Sequence, residues 1–218
     1  MSRARPSLYL ISPPVSDPAG FRPTLAEACG TGLVAAVLLR LPPGDERGLV
    51  NAVKALAPGV QDRSAALIVA DPGGDADLAT IVVRGGADGG HCADPARLEL
   101  LRGRLKEDRT VGAGGLRTKH DAMVAGELGA DYVLFGEPRP DGFIPALDQT
   151  EERAAWWAEI FQTPCVVHAP SLDAVPRLAA TGAEFVALGE AVWTHPEGPA
   201  AALALAARAL DAVPEGAA

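Results

Sequence analysis

Three times this chain spells glycine, alanine and an acid directly ahead of a short buried-looking run: Gly86-Ala87-Asp88 before GGHC, Gly129-Ala130-Asp131 before YVLF, and Gly182-Ala183-Glu184 before FVAL. A helical pattern precedes each triplet, and polar or Gly- and Pro-rich residues follow the run. Glycine at that place is how a chain leaves a helix through left-handed backbone. One structural unit, helix to turn to strand to loop, is therefore being reused.

Reading the remainder for period extends the unit along the whole chain. Short apolar or β-branched runs fall at 8–12, 34–40, 66–70, 89–92, 110–113, 132–135, 165–168 and 185–188, and such runs are candidate strands buried on both faces. Helical patterns lie between them at 23–30, 46–57, 75–84, 95–106, 118–128, 150–161, 171–180 and 198–212. Start signals support several: Pro95 after Asp94, Thr118, Thr150 with Glu151 and Glu152, and Ser171 with Asp173. Strict alternation implies parallel βαβ units, and 218 residues over eight units is about 27 each, the size of a small TIM barrel. The expected fold is a single-domain (β/α)8 TIM barrel spanning 1–218. A doubly wound open sheet is the alternative, weakened because ISPPVSDPAG stands where that fold carries GxGxxG.

Charge and cysteine content narrow the function. A net charge of −9 without a basic stripe excludes nucleic acid as an expected partner, since phosphate backbones are held by clustered Lys and Arg. Cys29, Cys92 and Cys165 are an odd number without CxxC spacing, which suits reduced core thiols. The apolar stretch Leu8–Ile11 is too short for a signal peptide, and no run reaches membrane-spanning length. A cytoplasmic protein with no membrane partner is expected.

In a TIM barrel, chemistry gathers where strands end. The residues at those ends are Arg40, Asp71, His91, Asp94, Gly112 to Gly115, Glu137, Arg139, Asp141, His168, Ser171 and Glu190. Arg40 closes an apolar strand and either grips a phosphate or carboxylate bidentately or makes a rim ion pair. Asp71 either ligates Mg²⁺ or orients a base, or else begins the turn at Pro72-Gly73-Gly74. His91 and His168 are acid, base or ligand candidates near neutral pH, or hydrogen-bonded core residues. His91 and Cys92 are adjacent and so face opposite sides of the sheet, and no third ligand is suitably spaced; a zinc site is not expected. The run VGAGGLRTKHDA places glycine amides where an anion could meet them, or forms a tight βα turn. His120 and His195 read as solvent-facing. Trp156 and Trp157 read as covering the barrel wall or a subunit contact, which admits a homodimer.

The stretches SLYLIS, VLLR, LIVAD, GADGGHC, VGAGG, HDAMVAGELGADYVLFGEP and PCVVHAPSLDAVPRLAATGAEFVALGEAVW together resemble the thiamine phosphate synthase and TenI superfamily of (β/α)8 barrels, in register along nearly the whole chain. The resemblance implies a small phosphorylated heterocycle as partner and Mg²⁺ as cofactor if the chain is catalytic. It also implies where the site should lie. The second-strand Gln-x-Arg-x-Lys pattern corresponds to Leu38, Arg40 and Pro42, and the Asn-Asp pair to Ala70-Asp71. The second acidic metal ligand falls near Ala96, with Asp94 close by. A serine position holds Gly114, and the Thr-x-Thr-Lys loop becomes 141–144, with Arg139 the nearest cation. The Gly-Gly phosphate loop becomes Ala169-Pro170, ahead of Ser171, and Gly189-Glu190 follows strand eight. A histidine that TenI-type tautomerases carry after LFG is Glu137 here, able to move a proton if burial raises its pKa.

Carried over, these positions give Arg40, Glu137 and His168 as candidate catalytic residues, Arg40, Gly114, Arg139, Ser171 and Gly189 as substrate-binding residues, and Asp71 and Asp94 as metal ligands. Because most anion-holding groups are replaced, a degenerate site is expected, with synthase or tautomerase chemistry by descent. The rival expectations are a non-catalytic barrel that binds a small ligand or a partner, and an aldolase-like or isomerase activity using His91 or His168.

Overall fold

The computed structural model describes residues 5–139 and 143–213. Eight parallel strands, β1 (Ser7–Pro14), β2 (Val34–Arg40), β3 (Ala66–Ala70), β4 (Gly89–Cys92), β5 (Thr110–Ala113), β6 (Tyr132–Phe135), β7 (Cys165–Ala169) and β8 (Phe185–Leu188), pair in chain order, and β8 returns to β1 to close the barrel. Between them run α1 (Pro18–Gly30), α2 (Glu46–Gln61), α3 (Leu78–Gly85), α4 (Pro95–Arg104), α5 (Lys119–Glu127), α6 (Leu147–Ile160) and α7 (Val175–Ala179), with α8 (Glu190–Trp193) and α9 (Gly198–Asp211) after β8. This is the expected (β/α)8 barrel.

Strand alternation sorts side chains into two cores. Tyr9, Ile11, Leu38, Ile68, Tyr132, Leu134, Val166 and Ala187 fill the barrel interior. Their neighbours Leu10, Val37, Leu39, Leu67, Val133 and Phe135 face outward under the helices. Because both faces are buried, the strands read as continuous apolar runs. The three cysteines are buried, with Cys92 in the outer layer and His91 turned inward. Trp157, 1% exposed, packs on Phe135 and Phe161 and donates its indole N–H to the Thr163 carbonyl at 2.7 Å, so the α6 tryptophan lies on the barrel wall.

The repeated triplet has a mechanical purpose. Gly86, Gly129 and Gly182 have φ of 79°, 85° and 84°, the left-handed exit from a helix. Each following acid then accepts the backbone N–H of the preceding strand: Asp88 from Leu67 at 2.7 Å, Asp131 from Val111 at 2.7 Å, and Glu184 from Cys165 at 2.8 Å. The acids thus stitch β3 to β4, β5 to β6 and β7 to β8 at the end of the barrel opposite the mouth.

Several boundaries differ from the sequence reading. Helix α1 begins at Pro18 rather than residue 23, because Asp17 caps it by accepting from Gly20 N and Pro18 sits at the first turn. Helix α3 begins at Leu78, after the Asp77 cap, rather than at 75. Helix α6 begins at Leu147: Thr150 is no cap but a buried residue one turn in, pressed against the Gly136 backbone so closely that a Cβ there would lie 2.6 Å from its methyl. The expected 171–180 helix is a 3-10 turn, Leu172–Ala174, leading into the short α7.

Candidate active site at the barrel mouth

A cavity of about 510 Å³ opens where β2 to β6 end, and Arg40, Asp71, His91, Asp94, Glu137 and Arg139 all line it. Gly115, just after β5, lines it too. The inward positions of that strand are Gly112 and, at its end, Gly114. A Cβ on Gly112 would lie 2.2 Å from the Tyr132 ring, and one on Gly114 would lie 2.1 Å from Glu137 Oε2 and 2.4 Å from His91 Nε2. Missing side chains on β5 therefore leave a trench, which a tyrosine from β6, a histidine from β4 and a glutamate following β6 fill.

Those side chains are hydrogen-bonded in series. Tyr9 and Tyr132 hydroxyls meet at 2.9 Å, Tyr132 Oη lies 2.9 Å from His91 Nδ1, and His91 Nε2 lies 3.4 Å from Glu137 Oε2. Glu137 Oε2 also accepts the Gly115 N–H at 3.1 Å. The glycine-turn amide proposed for an external anion is thus already given to a carboxylate of the protein. Gly114 N–H is likewise committed, to the Cys92 carbonyl at 2.9 Å.

Burial acts to raise the Glu137 pKa, but the adjacent His91, the Gly115 amide and the Arg40 charge together hold it below the ordinary carboxylate value. The condition attached to Glu137, a pKa raised by burial, is not met: its neighbours outweigh burial and favour the carboxylate. His168, 5% exposed on β7, behaves oppositely. Burial, aided by Arg40 and opposed by Glu137 and the nearby Gly136 backbone, pushes it down to about 4, and Nδ1 has no partner meeting hydrogen-bond geometry. Burial also raises the Tyr9 and Tyr132 phenols above their usual value.

Arg40 extends from the end of β2, whose backbone N–H donates to Ser12 Oγ at 2.8 Å. Among the described residues no carboxylate stands within ion-pair distance of its guanidinium, although its charge acts on both Glu137 and His168. Arg139 stacks its guanidinium 4.6 Å above the Phe143 ring. Asp141 lies outside the described residues.

The two metal candidates are otherwise engaged. Asp71 pairs through both oxygens with Arg97, whose Nη2 approaches Oδ1 at 2.7 Å, and it also accepts the Gly73 N–H at 3.0 Å in the turn the sequence offered as alternative. Arg97 further donates to the Gly74 and Ala76 carbonyls. Asp94 caps α4 by accepting the Arg97 N–H at 3.0 Å. Among the described residues no cluster of three His, Cys, Asp or Glu is disposed around a metal. As arranged, Asp71 is neutralised by a guanidinium and Asp94 caps a helix, so this pair does not fit a resident divalent ion.

Of the other candidates, Ser171 is exposed and lies apart from the cavity. Gly189 is buried, where a Cβ would sit 3.6 Å from His168 Nε2. His120 is exposed as expected, and His195 is half-buried. Sequence reasoning did not single out Arg97, Tyr9 or Tyr132. For the tyrosines a signal existed: both occupy inward positions, and Tyr132 pairs in register with Gly112.

Comparison with known proteins gives the chain a family. The family model described as thiamine monophosphate synthase matches residues 8–192. A thiamine-phosphate synthase of Rhodospirillum centenum is 42% identical over 200 residues, covering 90% of this chain and 94% of the relative, and one of Hyphomonas neptunium is 36% identical over 217 residues, covering 92% of each. Among solved structures, thiamine phosphate pyrophosphorylase from Pyrococcus furiosus superposes with a TM-score of 0.74 at 20% identity, covering 96% of this chain and 97% of that one. At 15% identity, 3-hexulose-6-phosphate synthase from Salmonella typhimurium reaches 0.70, covering 93% of this chain and 98% of its own; these two likenesses speak for the barrel alone. No helix among the described residues is long and apolar enough to cross a membrane. By the family model and the sequence relatives together, the chain belongs to the thiamine monophosphate synthase family.

Proposed function

We propose that the chain binds a small phosphorylated heterocycle of thiamine synthesis at the barrel mouth and moves a proton on it, with Arg40 gripping the anionic group and Glu137 as the base. One observation carries this reading: an ionised Glu137 and an Arg40 without a carboxylate partner among the described residues face the same cavity. Arg139, at the rim, is the second cation able to meet the ligand. The names of the sequence relatives support the substrate class. In such a step Glu137 takes a proton from one ring atom and returns it at another, so no group leaves and no redox partner is needed.

The condensation that releases diphosphate is the second reading, favoured by the relatives' names. It asks for preorganised positive charge, and each missing donor in such a site costs about 3 kcal/mol of transition-state stabilisation. Arg40 and Arg139 are the cations among the residues lining the mouth, so condensation is expected to be slow. The experiment supplies the purified protein either with pyrimidine methyl diphosphate plus thiazole phosphate, following thiamine phosphate, or with a thiazole carboxylate phosphate in D2O, following isomerisation and deuterium uptake by proton NMR. The expected result is isomerisation that Glu137→Gln abolishes and Arg40→Ala weakens through KM. Brisk condensation would establish the second reading, and neither reaction with no binding would leave a non-catalytic barrel.

A further inference from the structure

Glu137 does not stand alone in the mouth. Its Oε2 atom is held from one side by the Gly115 N–H and from another by His91 Nε2, and His91, 2% exposed, has its other nitrogen fixed by the Tyr132 hydroxyl. With the His91 ring neutral, the donors and acceptors fall into one order. A carboxylate can only accept, so His91 Nε2 must donate to it; Nδ1 of a neutral ring is then an acceptor, Tyr132 donates to Nδ1, and Tyr9 donates to Tyr132. The ring of His91 stacks on that of Tyr132 at 5.6 Å between centroids and 24° between planes, which limits its rotation. Gly114 keeps the volume open, because any side chain there would collide with both partners of the Glu137–His91 contact.

We infer that His91 is a positioning residue for Glu137: with its tautomer set from inside the barrel by Tyr132 and Tyr9, and space provided by Gly114, its Nε2–H aims the carboxylate into the cavity. This rests on the proposed role of Glu137 as base. The arrangement parallels any base whose orientation depends on a second group holding a fixed tautomer. The charged and titratable groups surrounding the pair are Arg40 from β2, Asp71 after β3, Asp94 after β4, His168 from β7, Tyr9 and Tyr132 from β1 and β6, and Arg139 from Glu137's own loop.

Ring-nitrogen NMR on ligand-free protein labelled with ¹⁵N at histidine tests the inference without any substrate, with the His91 signals identified by their disappearance in His91→Gln. The expected spectrum has the proton on Nε2 and a bare, hydrogen-bonded Nδ1, and Tyr132→Phe weakens that preference. A proton on Nδ1 in the wild-type protein overturns the inference. A second measurement follows the Glu137 carboxyl by ¹³C NMR across pH. His91→Leu and Gly114→Ala are expected to move its midpoint up, while His91→Gln, which keeps an N–H donor, holds it closer to wild type. An unchanged midpoint in His91→Leu also overturns it, and if that variant does not fold, the wild-type tautomer and the Gly114→Ala midpoint decide. Absence of turnover in a protein with the expected tautomer would count against the proposed reaction and leave the positioning pair standing.

Discussion

His168 makes a measurable bet on pH. It is buried on β7, and burial lowers its pKa from 6.5 to about 4. In the unfolded chain the ring takes up a proton near 6.5, while in the folded protein it stays neutral until about 4. A depressed folded value for a base means that the unfolded state binds the extra proton first, so stability is full above 6.5 and falls as pH drops toward 4. Linkage puts the whole effect at about 3 kcal/mol, of which about 2 kcal/mol is gone by pH 5. That is a sizeable part of the 5–15 kcal/mol that holds a typical domain. Glu137 does not confound the window: its folded value is lowered from 4.5, so the stability it adds is present above 4.5 and is lost only below it. The assay is urea unfolding at half-unit intervals from pH 7.5 to 4.5 for wild type and His168→Leu. The wild-type curve should fall relative to the variant by about 2 kcal/mol between pH 7 and 5. Parallel curves across that interval would refute the assignment of a neutral, desolvated His168.

Three further outcomes follow from named contacts. Asp88→Ala removes the acceptor for Leu67 N–H and Gln61 Nε2 and should cost about 2 kcal/mol in chemical denaturation, as charge-assisted hydrogen bonds do. Thr118→Ala breaks the reciprocal cap in which Thr118 and Asp121 satisfy each other's backbone N–H, and should cost about 1 kcal/mol. Arg97→Ala strands the Asp71 carboxylate, 11% exposed, with an expected loss of about 2 kcal/mol, less than for a fully buried pair because Arg97 is 35% exposed; calorimetry with Mg²⁺ alone should show no saturable binding to the wild-type protein, and a saturable isotherm there would overturn the reading of Asp71 as occupied.

The barrel was legible because strands buried on both faces print as unbroken apolar runs, and because Gly129 and Gly182 mark helix exits by a conformation other residues resist. Where the reading failed, two signals competed: Thr150 with two following acids looks like a helix start, yet its methyl is needed against Gly136, and that contact depends on tertiary packing. At the site, charged residues ending strands were visible one by one, and Arg40, Asp71 and Glu137 do reach one cavity. Their partners were not visible, since His91 and Glu137 are 46 residues apart, Asp71 and Arg97 are 26 apart, and Tyr9 meets Tyr132 across 123. Pairing of neighbouring strands brings Asp71 to Arg97, and the curvature of the barrel brings the other two pairs within reach. The burial of Glu137 could be guessed from its place after β6, but the sign of its titration depends on neighbours contributed by three other strands.

The electrostatics of the mouth also bear on how binding and reactivity relate. Arg40 is shared, its charge supporting an ionised Glu137 while also bearing on His168. On the proposed reading, a phosphate seated at Arg40 draws on the same guanidinium and brings its own negative charge toward Glu137. Both effects favour a proton on that carboxylate, so arrival of the substrate's anionic group strengthens the base that must act on the substrate's ring. The cost appears as affinity, because a carboxylate beside a phosphate is repulsive at short range. A site of this kind binds more weakly than one lined only by cations and gains a base that is strongest when the ligand is present. Diphosphate displacement gains nothing from that exchange, whereas proton transfer does, and this asymmetry is the physical reason to prefer the isomerising reading for a mouth in which Glu137 and His91 occupy the space left open at Gly114.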